Sequence, residues 1–316
     1  MVNIIGDAPE VERLQTGLYG FDRAFINRKG DIGFPLGKYV ELYGATHTGK
    51  STIIYGLSGI IAKHLGGNIA LADLEGFDPN FVSEVLTTVG FEGDVQYIQE
   101  ETDEETLESL INVLRQENYY IGVLDSIGAI SPISEQQGDI GEANMGRRAF
   151  SMAQFSRKVI KLLREHDNKT MFAINHAYPK IGGMGYSSPG GEVKNYLFSI
   201  RIHVKRRYVK SGWQEYPDGS YVIEGKVVKN RWGIKDKEFL LFVLSGKGVH
   251  KGMTTMFDCI EEGLATSKNV VKIGDKSFGR LKPIIDKAQE GDEEFFQPFY
   301  DLLKGDNEND KSKSDK

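Results

Sequence analysis

The sequence predicts an α/β fold: a mostly parallel central sheet covered by helices on both sides, with a small α/β module appended at the C-terminal end. Three observations carry that expectation. Apolar or β-rich runs alternate with helical patterns over residues 38–174, the pattern of successive strand–helix–strand units. Two of those runs, residues 121–124 and 170–174, are apolar runs suited to strands buried on both faces. A glycine-bounded stretch, residues 44–50, lies between a predicted strand and a predicted helix, the usual place for a ligand loop at the edge of such a sheet.

The elements follow in order. Residues 38–43 form a strand that ends at Gly44, and the helix beginning at Lys50 stops at Gly66-Gly67, a C-cap pair. Residues 68–73 are the next strand. Asp78-Pro79 is an N-cap followed by proline at the first helical position, and Gly90 closes that helix. Residues 95–98 form a strand, and Thr102-Asp103 opens an acid-rich helix. A long helix spans roughly residues 146–166. After Phe198 the texture becomes β-rich, with turns such as Pro217-Asp218-Gly219, and a small helical module starts near Gly252. The division is a short N-terminal segment (1–36), a core (37–250), a small C-terminal domain (251–304) and a disordered polar tail (305–316).

The chain has 316 residues, 40% of them hydrophobic and 27% charged, ordinary for a soluble globular protein of one large and one small unit. No apolar run approaches a membrane span, and the first twelve residues lack a signal-peptide pattern, so no membrane partner is expected. The lone cysteine, Cys259, excludes an intramolecular disulfide framework and suits a reducing, cytoplasmic compartment. A net charge of −6 does not advertise nucleic acid, but the signs are segregated: Arg147, Arg148, Arg157, Lys158 and Lys161 cluster, as do Lys205, Arg206 and Arg207.

Gly44-Ala45-Thr46-His47-Thr48-Gly49-Lys50-Ser51 is a complete P-loop. Its glycines let backbone N–H groups curl around phosphates at a helix N-terminus. Lys50 is placed to reach the β- and γ-phosphates of ATP, Ser51 to ligate Mg²⁺, and Thr52 follows in the same turn. Residues 119–125 form an apolar strand ending in Asp125, a second Mg²⁺ candidate. Glu75, just past the 68–73 strand, has two readings: a base for the water that attacks the γ-phosphate, or a solvated loop glutamate.

These segments resemble the RecA family of recombinases in order and content, over roughly Thr16 to the end of the C-terminal module. Asp73-Leu74-Glu75-Gly76-Phe77-Asp78-Pro79 is similar to the family's catalytic-glutamate segment, one residue shorter. The resemblance implies that Glu75 is the base and that Asp78 and Phe81 meet adenine, while Asp78 also remains a helix cap. Gly138-Asp139-Ile140-Gly141-Glu142-Ala143-Asn144-Met145-Gly146 resembles the first DNA-binding loop, and Asn175-His176 through Gly190-Gly191 the second. Lys226-Val227-Val228-Lys229-Asn230-Arg231 is similar to a segment that reaches ATP across a subunit interface. The fold implied is a RecA-like P-loop ATPase core. Departures are visible: His176 stands where cellular bacterial members carry glutamine, and Asn175-His176 resembles phage recombinases of the UvsX kind. Phe150 replaces a DNA-contacting arginine, and few residues precede Thr16-Gly17 compared with the family's N-terminal helix and tether.

A recombinase must grip single-stranded DNA by its phosphates and leave base edges free for pairing. Candidate contacts are Met145, Gly146, Arg147, Arg148 and Arg157 around the first loop, and Lys180, Met184, Tyr186, Gly190 and Gly191 in the second. Met145, Met184 and Tyr186 read either as wedges between bases or as anchors on the core beneath. His176, at the end of the 170–174 strand, reads either as a sensor of the γ-phosphate that orders the second loop or as an ordinary strand-end histidine. Lys229 and Arg231 read either as cations acting on a neighbour's γ-phosphate or as a solvated basic face; Arg201, His203 and Lys205 read as one solvated face of a strand. The activity implied is DNA-dependent hydrolysis of ATP, within a helical filament on single-stranded DNA that pairs with homologous duplex DNA in recombination and repair. The alternative is a RecA-fold ATPase that coats DNA or remodels partners without strand exchange.

Overall fold

The computed structural model of the chain describes residues 11–76, 78–131, 145–179, 186–188, 194–209, 212–213, 216, 218–267 and 270–303. The main sheet is built from β1 (Tyr39–Gly44), β2 (Asn68–Asp73), β3 (Val95–Ile98), β4 (Tyr119–Asp125), β5 (Thr170–His176), β6 (Ile200–Arg206), β7 (Tyr221–Asn230), β8 (Lys237–Leu244) and β9 (Gly248–Val249). The helices are α1 (Tyr19–Ala24), α2 (Lys50–Leu65), α3 (Pro79–Thr88), α4 (Asp103–Leu114), α5 (Met145–Glu165), α6 (Lys194–Leu197), α7 (Lys251–Glu261) and α8 (Leu281–Glu290).

Strand order is β9-β8-β7-β6-β1-β5-β4-β2-β3. The six strands from β6 to β3 are parallel, and β7, β8 and β9 add antiparallel at the other edge. The mostly parallel expectation therefore holds, and the β-rich stretch after Phe198 supplies the last parallel strand, β6, and then the antiparallel extension. Local chemistry fixes the boundaries. Asp78 caps α3 by accepting from Asn80 N at 2.9 Å, and Thr102 and Glu105 form a reciprocal capping box on α4. Strand β5 runs two residues past the 170–174 expectation, so His176 is its last residue.

Alternation along the parallel strands sends side chains to two separate cores. On one face Val40, Leu42, Ile69, Leu71, Val123 and Phe172 pack against Ile53, Ile54 and Leu57 of α2 and Val82 and Val85 of α3. On the other, Ala70, Ala72, Leu124, Met171 and Ala173 meet Leu110 and Ile111 of α4 and Phe155 and Val159 of α5. Residues 13–36 belong to the first core through Leu14, Phe21, Phe25 and Phe34. A third cluster joins Val222 of β7 and Phe242 and Leu244 of β8 to Met253, Met256, Ile284, Phe296 and Phe299. Among the described residues no helix is long and apolar enough to cross a membrane.

Two buried carboxyls sit where the N-terminal residues meet α7. Asp22 accepts from Thr16 N, Thr16 Oγ1 and Gly17 N, and Asp258 accepts from Gly20 N at 2.9 Å. Burial pushes Asp258 up from 3.8 to about 7, only partly countered by the Gly20 hydrogen bond. The folded chain thus holds a proton that the unfolded chain releases earlier. This contribution to stability is full below the ordinary carboxyl range and is lost as pH rises to about 7. Asp258→Asn keeps an acceptor for Gly20 and removes the ionisation. Its Tm is expected to exceed that of the parent at pH 8 by a few degrees, on a scale of ~2 °C per kcal/mol for a chain this long, with the gain vanishing near pH 4; thermal denaturation across that range checks it.

Candidate active site

The C-terminal ends of β1, β5, β4 and β2 lie side by side, with Gly44 level with His176 and Asp125 level with Asp73. Everything that follows those strands is delivered to one edge of the sheet. Gly44 ends β1, and Gly49, in the left-handed region at φ 80°, turns the chain into α2. Gly44 is also required by contact: a Cβ there would lie 2.4 Å from the Val204 carbonyl oxygen and 2.9 Å from Thr48 Oγ1. Thr48 Oγ1 and Lys50 Nζ both donate to the Ala45 carbonyl, at 2.8 and 3.0 Å, which curls the loop on itself. Thr46 and His47 are exposed on the loop, and Thr52 is buried in the first turn of α2. Burial holds the Lys50 ammonium below the usual lysine range, against the pull of Asp125 and Glu75.

Ser51 Oγ donates to Asp125 Oδ2 at 2.6 Å, and Tyr55 OH donates to the same oxygen at 3.1 Å. Burial pushes the Asp125 carboxyl up; the Ser51 and Tyr55 hydrogen bonds oppose that, and the charges of Glu75 and Asp73 reinforce it. Asp73 accepts from Glu75 N and Gly76 N at 2.9 and 3.1 Å, shaping the turn that presents Glu75. Glu75 Oε1 accepts from Ser126 Oγ and lies 2.9 Å from His176 Nε2. Burial raises the Glu75 carboxyl, but Ser126, His176 and Lys50 together outweigh it and hold the group below its ordinary value. The ring of His176 also rests on the short turn Ile127–Ala129, 3.2 Å from where a Cβ on Gly128 would sit. The Asp125–Ser126 peptide bond is cis.

Lys50, Ser51, Asp125, Glu75 and His176 are therefore brought together. Asp78 and Phe81 stand nearby at the start of α3, Asp78 as an exposed cap and Phe81 packed partly against the first core. Lys229 and Arg231 are not at this edge. Asn230 is level with Ile200 and hence with Val40, four residues and about 13 Å along the strands from Gly44. There Lys229 Nζ donates to the Phe198 carbonyl and Arg231 Nη2 to the Tyr196 carbonyl, so both point to one side. Lys229 is lowered to about 8 by burial and by Arg231 and Arg201.

Arg157 is exposed on α5. Met145, Gly146, Arg147 and Arg148 form its first turn, and Tyr186 pairs in a two-residue strand with Pro179. The side chains of Met145, Arg147, Arg148 and Tyr186, and all of Lys180, Met184, Gly190, Gly191 and residues 138–144, lie outside the described residues. One sequence reading is corrected. Arg201, His203 and Lys205 do not share a solvated face: the Arg201 side chain is 11% exposed on Glu41, and His203 lies against the Tyr43 ring, while Lys205 alone is exposed, on Glu224. The reason is that Glu41 and Tyr43 of the neighbouring β1 project to the same face and pack against Arg201 and His203. Tyr55 and Ser126 are site residues that the sequence reading missed. Tyr55 was discoverable, since it stands one turn from Ser51 on the same face of α2.

A family model described as the RecA N-terminal domain matches residues 3–250. The chain belongs to the RecA family. That match takes in every strand of the main sheet and leaves α7, α8 and the small sheet between them beyond it. Among relatives, the RecA protein of Wolinella succinogenes is 30% identical over 288 residues, covering 88% of this chain and 79% of that protein. RecA of Helicobacter pylori strain G27 is 30% identical over 250 residues, covering 77% and 68%. RecA of Nitratiruptor sp. is 29% identical over 249 residues, covering 76% and 68%.

The close approach at Gly44 predicts that Gly44→Ala displaces either β6 or the loop. Overpacking of this kind costs about 1–3 kcal/mol. The expected result is a lower denaturant midpoint with an unchanged slope, together with weakened binding of a fluorescent ATP analogue.

Proposed function

We propose that this RecA-family chain is an ATP-dependent homologous recombinase: it polymerises on single-stranded DNA, hydrolyses ATP to ADP and phosphate in a DNA-dependent manner, and exchanges strands with homologous duplex DNA. The observation that carries the reading is the convergence of Lys50, Ser51, Asp125, Glu75 and His176 on one sheet edge of a RecA-family chain. The P-loop amides and Lys50 hold the β- and γ-phosphates. Glu75, kept ionised by Ser126, His176 and Lys50, takes the proton of the attacking water. His176, already against Glu75, is the group that registers whether a γ-phosphate is present. Ser51 and Asp125 form a hard-oxygen pair that fits Mg²⁺, and the ion would add charge neutralisation at the phosphates. Asp78 and Phe81 at the start of α3 are read as the adenine contacts.

The 13 Å offset of Lys229 and Arg231 favours their action on a neighbour's nucleotide: they point away from their own P-loop, and a phosphate supplied in trans would offset the burial and the cation repulsion that lower Lys229. We read Arg147, Arg148 and Arg157, with Met145, Gly146, Lys180, Met184, Tyr186, Gly190 and Gly191, as the DNA contacts, and the cytoplasm as the compartment. The phage-type subclass rests on Asn175-His176 alone, and the bacterial RecA relatives named above do not support it. A strand-exchange assay with single-stranded circles and homologous linear duplex tests the function. Joint molecules should form with ATP and not without nucleotide; coating of DNA without joint molecules would leave a scaffold ATPase in its place.

Glu75→Gln should bind an ATP analogue within about threefold of the parent and lose at least 10²-fold in turnover, the scale of a missing general base. Equal losses in binding and turnover would remove Glu75 from that role. Lys50→Ala and Lys229→Ala/Arg231→Ala proteins should each be inactive alone, and mixing them on DNA should restore hydrolysis at junctions that combine an intact P-loop with intact cations. Co-assembled but inactive mixed filaments would return Lys229 and Arg231 to a solvated basic face.

A further inference from the structure

Glu41, in the middle of β1, is fully buried and takes no part in the site described above. Its side chain points to the face opposite Val40 and Leu42 and meets three donors. Oε1 accepts from Asn175 Nδ2 and from Ser188 Oγ, both at 2.8 Å, and Oε2 accepts from Arg201 Nε at 2.5 Å. Arg201 Nη2 also donates to Ser188 Oγ at 3.1 Å, and the guanidinium lies over the Tyr43 ring, 5.1 Å from its centre. Asn175 is held from both ends, because its Oδ1 accepts from His176 N at 2.9 Å.

Read end to end, these bonds form one continuous chain. It runs from Glu75 to His176, through the Asn175 amide to Glu41, and from Glu41 to Ser188 and Arg201. Arg201 is paired across the sheet with both Glu41 and Lys229, and the same carboxylate partly offsets the burial and the Arg231 and Arg201 charges that lower Lys229. A buried carboxylate is costly unless all its bonds are made, and such a group holds its partners to one arrangement. Movement of His176 at the nucleotide edge pulls directly on Asn175 and hence on Glu41. Ser188, which follows the strand Tyr186–Ser187, has its hydroxyl tied to the same oxygen.

We propose that Glu41 is a positioning residue that transmits the nucleotide state from His176 to the segment anchored by Ser188 and, through Arg201, to the Lys229 edge. The inference rests on the recombinase reading, in which ATP tightens DNA binding. The test is the ratio of single-stranded DNA Kd in ADP to that in a slowly hydrolysed ATP analogue, measured for the full chain and for Ser188→Ala, Glu41→Gln and the double variant. Ser188→Ala is expected to bind the analogue like the parent, to keep its ADP-state DNA affinity within about twofold, and to lose at least fivefold in the ratio. Glu41→Gln should lose as much, and the double variant no more than the worse single one, since both break one chain. By linkage, DNA should also stop tightening the analogue in these variants. A merely structural role would lower Tm and both DNA affinities together and leave the ratio unchanged; that result in folded Ser188→Ala overturns the proposal, as do losses that add in the double variant. Where Glu41→Gln does not fold, Asn175→Ala replaces it in the cycle. A parent ratio of one would instead overturn the ATP-gated reading itself, which separates the two failures.

Discussion

The parallel alignment of β1, β5, β4 and β2 is the constraint on which the site depends. Parallel strands can be joined only by crossovers, and each crossover here begins at the same edge. Gly44, His176, Asp125 and Asp73 thus end neighbouring strands in one row, although 132 residues of sequence separate the first two. The chemistry of the row is a consequence of crowding. Three carboxylates and one ammonium share this edge, and each is held: Asp73 by the amides of Glu75 and Gly76, Lys50 by the Ala45 carbonyl, the other two by hydroxyls or a ring nitrogen. Asp125 takes Ser51 and Tyr55, and Glu75 takes Ser126 and His176. The environments push the two carboxyls apart, with Asp125 raised and Glu75 lowered.

The antiparallel extension changes what the sheet can do. Because β7 runs back along β6, its far end emerges at the edge opposite the P-loop, and Lys229 and Arg231 emerge with it. The same strand carries Val222 into the core shared with the C-terminal helices. Buried groups between the two edges are polar where a purely structural sheet would be apolar. Glu41 and Asn175 lie in strands covered on both faces; Glu41 accepts from Asn175, Ser188 and Arg201, and Asn175 in turn accepts from His176 N.

Much of this was legible in the sequence, and the parts that were not have a common cause. Strands 68–73 and 95–98 matched to the residue because turn residues bracket them. The positions of the P-loop, Asp125 and Glu75 at one sheet edge were legible because each lies at or just past a strand end that could be located. The end of β5 was placed two residues too early, since Asn175 and His176 look like loop residues although the strand continues through them. Arg201 was misread because alternation along a strand tells which residues share a face and does not tell which face is buried; that is decided by β1 and β7, distant in sequence. Tyr55 and Ser126 escaped for a related reason: a tyrosine in an apolar helix and a serine after an aspartate acquire meaning only when the partner carboxylate is in position.

One contact of β7 with its own P-loop gives the strand a mechanical meaning. At the near end, the hydroxyl of Tyr221 would lie 2.6 Å from a Cβ on Gly49, and Arg206 lies 3.9 Å over the Tyr221 ring, so the phosphate loop is braced from behind. Eight residues on, about 26 Å along the strand, the same β7 carries Lys229. Strands clamped on both sides bend little, and β7 is clamped by both β6 and β8 over residues 223–227. If Lys229 meets a neighbour's nucleotide as proposed, β7 would be a strut with one foot behind its own phosphate loop and the other at the next site. A change in the pitch of such a polymer and a displacement of the loop would then be one elastic motion.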